Sequence, residues 1–153
     1  EFNKQNIKSK KDTSETLEGS EKKEFLEGAT IAYESIINAF AKEDVGKLKT
    51  LLTSNMALSF EEAIAERKKN KIKSELTFIG MKESKLEKFD TIKNEIYATV
   101  KFVSEIISVK KDKDNAIIEG NPDKIKTVTD HWKFTKNALS QNPNWYLSEI
   151  ISQ

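Results

Sequence analysis

The chain has 153 residues, 37% of them apolar, with 26 basic against 25 acidic side chains and no cysteine. That is one domain's worth of sequence, and its balanced charge excludes the broad positive field that gathers nucleic acid. Without cysteine there is no disulfide, thiolate catalysis or cysteine-based zinc site, and no apolar run reaches the roughly 18–20 residues that cross a bilayer.

Residues 1–21, EFNKQNIKSKKDTSETLEGSE, are rich in Lys, Glu, Ser and Thr with only scattered apolar residues. Such a segment cannot bury enough surface to offset its ordering entropy, so it reads as a flexible charged linker ahead of a folded domain at 22–153. From Glu24 the period changes. Phe25, Ala29, Ala32, Tyr33, Ile36, Ile37 and Phe40 recur every three or four positions, the stripe of an amphipathic helix over about 22–42. Asp44 is the natural N-cap of a short second helix carrying Val45, Leu48, Leu51 and Leu52. Thr53 or Ser54 caps a third, with Met56, Phe60, Ala63 and Ile64 as its stripe.

After Asn70 the period falls to two. KSELTFIGM, with Leu76 and Phe78 on one face, reads as a first strand; TIKNEIYATVKFVSEIISVK reads as a long second one, with Ile92, Ile96, Ala98, Val100, Phe102 and Ile106 in phase. Its length demands a bend, expected where Val103, Ile106, Ile107 and Val109 break strict parity. A polar connection holding Gly120 and Pro122 then makes a wide hairpin. In the third strand Val128, Asp130, Trp132 and Phe134 oppose Thr127, Thr129, His131, Lys133 and Thr135. In the last, Trp145 and Leu147 form one face opposite Tyr146 and Ile150. Helices followed by an antiparallel meander make an α+β domain, a bent four-stranded sheet packed on the long first helix.

The ordered pieces EGATIAYESIINAFAKED, FEEAIAER, DKDNAIIEGNPDK, VTDHWKF and NPNWYL resemble the Tim44-like domain, the C-terminal module of the peripheral anchor subunit of the mitochondrial inner-membrane import motor. The resemblance spans about residues 24–151 and is similar to what a bacterial member would show. It implies a cystatin-like or nuclear-transport-factor-like cone with an apolar pocket between helix and sheet. It also implies peripheral attachment to a cardiolipin-containing membrane through helices at the start of the domain, and a role in protein translocation or membrane-protein biogenesis beside a translocase or membrane-protein partner. The family's upstream region recruits the seventy-kilodalton heat-shock chaperone; little of that region is present, so chaperone recruitment is not expected of this chain. By the same resemblance the expected location is the inner membrane, held there by a segment preceding Glu1.

Catalytic apparatus is hard to find in the residues. His131 is the only histidine, and its parity opposite Trp132 turns it to the surface. Asp130 shares the Trp132 face, where it is either a buried acid or a carboxylate held by a lysine or backbone donor. DKDN at 112–115 lacks the glycine and terminal glutamate of a calcium loop and reads as a solvated turn. No phosphate loop, nucleophile elbow or metal-ligand spacing is seen. A non-enzymatic domain with no cofactor and no nucleic-acid partner is therefore expected.

Binding readings are better supplied. Arg67, Lys68, Lys69, Lys71 and Lys73 gather at the end of the third helix, either as a solvated terminus complementing the helix dipole or as a contact for anionic lipid, cardiolipin being the lipid the resemblance implies. Leu26 and Ile31 lie off the main stripe of the first helix and either pack on the second or dip into a lipid interface. Tyr33, Ile37, Phe40, Phe60, Phe78, Phe102, Trp132, Phe134 and Trp145 either fill the core or line an apolar pocket between helix and sheet. That pocket supports the alternative function, a module binding lipid or a small apolar ligand.

Overall fold

A computed structural model describes residues 17–151; most of the expected linker, residues 1–16, lies outside the described residues. Three helices come first: α1 (Gly19–Lys42), α2 (Val45–Lys49) and α3 (Ser54–Lys69). α1 buries Phe25, Ala29, Tyr33 and Ile36 of the expected stripe and adds Ala39, while Ala32, Ile37 and Phe40 are half-buried. It begins at Gly19 rather than Lys22, and Leu17 ahead of it already packs against the core. At the other end Glu43 adopts a left-handed conformation (φ 62°), and its N–H donates back to the carbonyls of Ala39 and Phe40. That arrangement satisfies carbonyls which the end of a helix leaves without partners. The Asp44 carboxylate accepts from the Lys47 N–H and the Thr53 hydroxyl from the Met56 N–H, so Thr53, not Ser54, caps α3. In α3 the buried residues are Ala57, Ile64 and Arg67; Ala63, expected in the stripe, is exposed.

Five strands follow: β1 (Lys73–Ile92), β2 (Glu95–Lys111), β3 (Ile117–Gly120), β4 (Lys126–Asn137) and β5 (Tyr146–Ile151). They form one antiparallel sheet in the order β1-β2-β4-β5, with β3 paired to β2. The first departure from expectation is β1, which runs on through KESKLEKFDTI to a two-residue turn at Lys93 and Asn94, with Ile92 opposite Glu95. Ile92 therefore ends the first strand and is exposed, instead of opening the second.

The bend is the next departure. Its three irregularities lie between Phe78 and Gly80, Met81 and Glu83, and Leu86 and Lys88, while β2 keeps unbroken register. The extra residues Ile79, Lys82 and Glu87 thus all sit in β1. Each bulge adds local twist, and together they curl the sheet around α1.

β3 is the third. The wide connection contains a short strand, and Gly120 at its end has φ 88°. A Cβ there would collide with the Ser108 carbonyl oxygen, so bare glycine lets β3 lie against β2. β5 closes the other side. Ser148 is the extra residue of a bulge that brings Ile150 opposite Trp132, not onto the face opposite Leu147 as parity alone predicts. The outer edge of β5 is met at Leu147 by the link between α2 and α3: Thr53 N–H donates to the Leu147 carbonyl (3.0 Å) and Leu147 N–H to the Leu51 carbonyl (2.9 Å). At Leu147 that edge therefore offers no free template for pairing.

Candidate functional site

The basic cluster sits where α3 hands over to β1, and the structure divides it. Lys69, Lys71 and Lys73 are exposed and have no acidic partner among the described residues. Lys68 is also exposed, with its ammonium 3.7 Å from the Glu43 carboxylate. Arg67 departs from the group. It is 8% exposed and its guanidinium lies 4.7 Å over the Phe40 ring. One terminal nitrogen donates to the Phe40 carbonyl (2.6 Å) and, at greater length, to that of Ala41 (3.4 Å). Its Nε is 3.5 Å from the Glu43 carboxylate, within ion-pair range but without hydrogen-bond geometry. Arg67 is thus the side chain that closes the C-terminus of α1, where a cation meets unpaired carbonyls and the negative end of the helix dipole. The sequence carried a signal for this: Ala57, Phe60, Ile64 and Arg67 are spaced by three, four and three, so Arg67 continues the buried stripe.

The other proposed membrane residues do not join the lysines. Ile31 is 67% exposed, while Leu26 is half-buried against the core. Leu26 also lines an open groove of about 420 Å³ between α1 and Ser84 of β1. Fourteen residues separate Leu26 from Phe40, roughly 20 Å of helix, so Leu26 belongs to the opposite end of α1 from Arg67.

The aromatic residues do meet. Tyr33 packs against Trp132 and Phe102, with centroids 4.5 and 4.6 Å apart, and Phe102 reaches Phe134 at 6.2 Å. Phe78 lies 6.5 Å from Tyr33 and Ile37 packs beside the cluster. Phe40 and Phe60 form a separate pair at 5.1 Å under Arg67. Trp145 sits edge-on to Phe25 at 4.9 Å, with Phe89 at 6.3 Å; it precedes β5 and clamps the start of α1 onto the sheet. None of these predicted pocket residues lines the groove at Leu26 or a smaller cavity near Glu95 and Tyr146. Within the cluster lies a polar contact: the Tyr33 hydroxyl donates to the Asp130 carboxylate at 2.6 Å and lies 3.1 Å from the Ser104 hydroxyl.

The Tim44-like domain family matches residues 11–152 of this sequence. The chain belongs to that family. No curated protein sequence matches it. Among solved structures it is similar to the intermembrane space region of the chloroplast protein ARC6, with 13% identity and a TM-score of 0.53 over 90% of this chain and 100% of that one. At that identity the likeness concerns the fold alone: helices packed on a curled antiparallel sheet, as the resemblance implied.

In this Tim44-like domain His131 lies on the sheet face opposite Trp132, its Nδ1 2.8 Å from the Glu87 carboxylate. Glu87 is one of the bulge residues of β1, so the pair reaches across β2. The Asp112 carboxylate accepts the N–H groups of Asp114 (2.8 Å) and Ala116 (3.0 Å), which makes DKDN a turn held by its own aspartate. Among the described residues no three His, Asp or Glu side chains gather as a metal site. Nor is any described helix long and apolar enough to cross a membrane.

Burial, and next the hydrogen bond to Asp130, raises the Tyr33 hydroxyl well above its ordinary value of about 10. A raised pKa in the folded state gives stability that is intact below pH 10. Above it the unfolded chain loses the phenolic proton and the folded one keeps it. Stability of the wild type is therefore expected to fall by up to about 1.4 kcal/mol per pH unit from this group alone, and Tyr33→Phe should lack that part of the slope. Urea midpoints at pH 8 to 11.5 for both proteins test it; parallel curves refute the assignment.

Proposed function

We propose that this Tim44-like domain is a non-enzymatic, membrane-peripheral adaptor in protein translocation or membrane-protein biogenesis, with the junction of α3 and β1 as its contact for anionic lipid. Family membership supports the adaptor role. The observation that carries the lipid contact is the division of the basic cluster. Arg67 turns inward to close α1, whereas Lys69, Lys71 and Lys73 face solvent with no acidic partner among the described residues. A lysine near an acidic membrane surface contributes about 1 kcal/mol, so three acting together shift partitioning on the order of a hundredfold.

The test is sedimentation of the full chain with phosphatidylcholine vesicles, with and without cardiolipin, across a salt series. Binding that needs the anionic lipid, weakens with salt and drops on the order of a hundredfold when Lys69, Lys71 and Lys73 become glutamine is the expected result. Indifference of the wild type to cardiolipin at low salt would refute the lipid contact.

A further inference from the structure

Lys73, Lys111 and Ile117 stand in one row across β1, β2 and β3, so the proposed lipid contact continues directly onto β3. Every residue from Lys113 to Thr127 is exposed, although the stretch includes a paired strand. Within it Ile117, Ile118 and Ile125 are 48%, 51% and 55% exposed. Three half-bare isoleucines on an ordered edge are costly to leave in water, and Ile118 is the extra residue of the bulge in β3. Three of the five acidic residues of this end are engaged, while Asp114 and Asp123 are exposed with no cationic partner among the described residues. Glu75 pairs with Lys111 and Glu119 with Lys110, while Asp112 accepts its own turn's N–H groups. Lys71, Lys73, Lys113, Lys124 and Lys126 have no acidic partner among the described residues; Lys73 shares the row of Ile117, and Lys124 and Lys126 flank Ile125 in the sequence.

We infer that Ile117, Ile118 and Ile125 form a tip that enters the headgroup boundary of an anionic membrane, with those lysines held at the phosphate plane. The inference rests on the lipid contact proposed above and adds to it an apolar anchor. An exposed apolar edge set among lysines suits a fluid better than a protein partner, because the fluid yields to its shape whereas a protein must carry a complementary surface to receive it. Cations around an apolar centre are the pattern of interfacial binding, in which apolar burial and attraction to acidic headgroups add. The separation of functions is clear: lysines supply the salt-sensitive part and isoleucines the salt-resistant part.

The chain has no cysteine, so Ile118→Cys gives a single site for an environment-sensitive fluorophore. Leu139→Cys, 75% exposed and beside the β1–β2 turn, is the control, roughly 50 Å of strand away. Both labelled proteins are mixed with phosphatidylcholine vesicles containing cardiolipin, with brominated acyl chains as quencher. The expected result is a blue shift and quenching at position 118 and neither at 139, with Ile118→Ser partitioning roughly tenfold less at high salt. Vesicles that carry down the protein while position 118 stays unquenched would overturn the tip and leave the lysine contact standing. No sedimentation with either lipid would overturn both. A shift at 118 that grows with protein concentration in the absence of vesicles would show an interface between copies and overturn the tip as well. Urea midpoints of the variants matching the wild type confirm that the folded protein is being compared.

Discussion

Replacing Arg67 with methionine is expected to lower the unfolding free energy by about 3 kcal/mol, read as a lower urea midpoint at unchanged slope. Methionine keeps much of the apolar stem, so the loss comes from polar groups left behind. The Phe40 and Ala41 carbonyls lose a charged donor, Glu43 loses the nearer of its two cations, and the Phe40 ring loses its cation. Arg67→Lys should restore only part, because an ammonium cannot both stack on the ring and fork toward the carbonyls. Lys69→Gln, two positions on, is expected to change stability by less than about 0.5 kcal/mol. If the two substitutions cost the same, Arg67 is a surface cation like its neighbours and the closure of α1 is assigned to the wrong residue.

The second large effect concerns the C-terminus. Ending the chain at Gln141 removes Trp145 and all of β5, and the single cooperative unfolding transition is expected to disappear. Leu147 is fully buried, and its backbone occupies the Thr53 N–H and the Leu51 carbonyl. Trp145 is the ring that holds Phe25. Deleting Leu147's side chain alone as alanine should cost roughly 2–5 kcal/mol, against a total that for a domain is only about 5–15. Removing the whole strand exceeds that margin. A truncated protein with a sharp urea transition would show that helices and the first strands fold without β5, and that the last strand is an addition to a finished core.

The parts legible in the sequence are those where burial is one-sided and unbroken. α1 shows its seven apolar positions because they form one stripe, turned to the sheet over most of its length and to Phe60 of α3 at Phe40, and β4 shows Trp132 and Phe134 because its two faces differ. β1 hid its second half. Each bulge shifts parity by one, so Leu86 and Phe89, both packed on the core, lie three apart, a spacing that breaks the strand period of two. β3 hid for the opposite reason, since exposure throughout leaves no alternation to read. Arg67 was obscured by chemistry: a cation inside a run of cations looks solvated, and only its spacing from Ile64 and Phe60 marked it as inward. The aromatic set was identified residue by residue, but whether rings leave room between them depends on packing that no spacing encodes.

The placement of the three bulges has a consequence for how such a chain tolerates length changes. All three lie in β1, which has one neighbour in the sheet, and none interrupts β2, which pairs on both sides. Inserting or deleting a residue at Ile79, Lys82 or Glu87 therefore alters the curl at one margin, while the pairing of β2 with β4, and of β4 with β5, keeps its register. The tightness with which the sheet wraps α1 is set from its border, one residue at a time, and the aromatic centre need not be rebuilt when it changes.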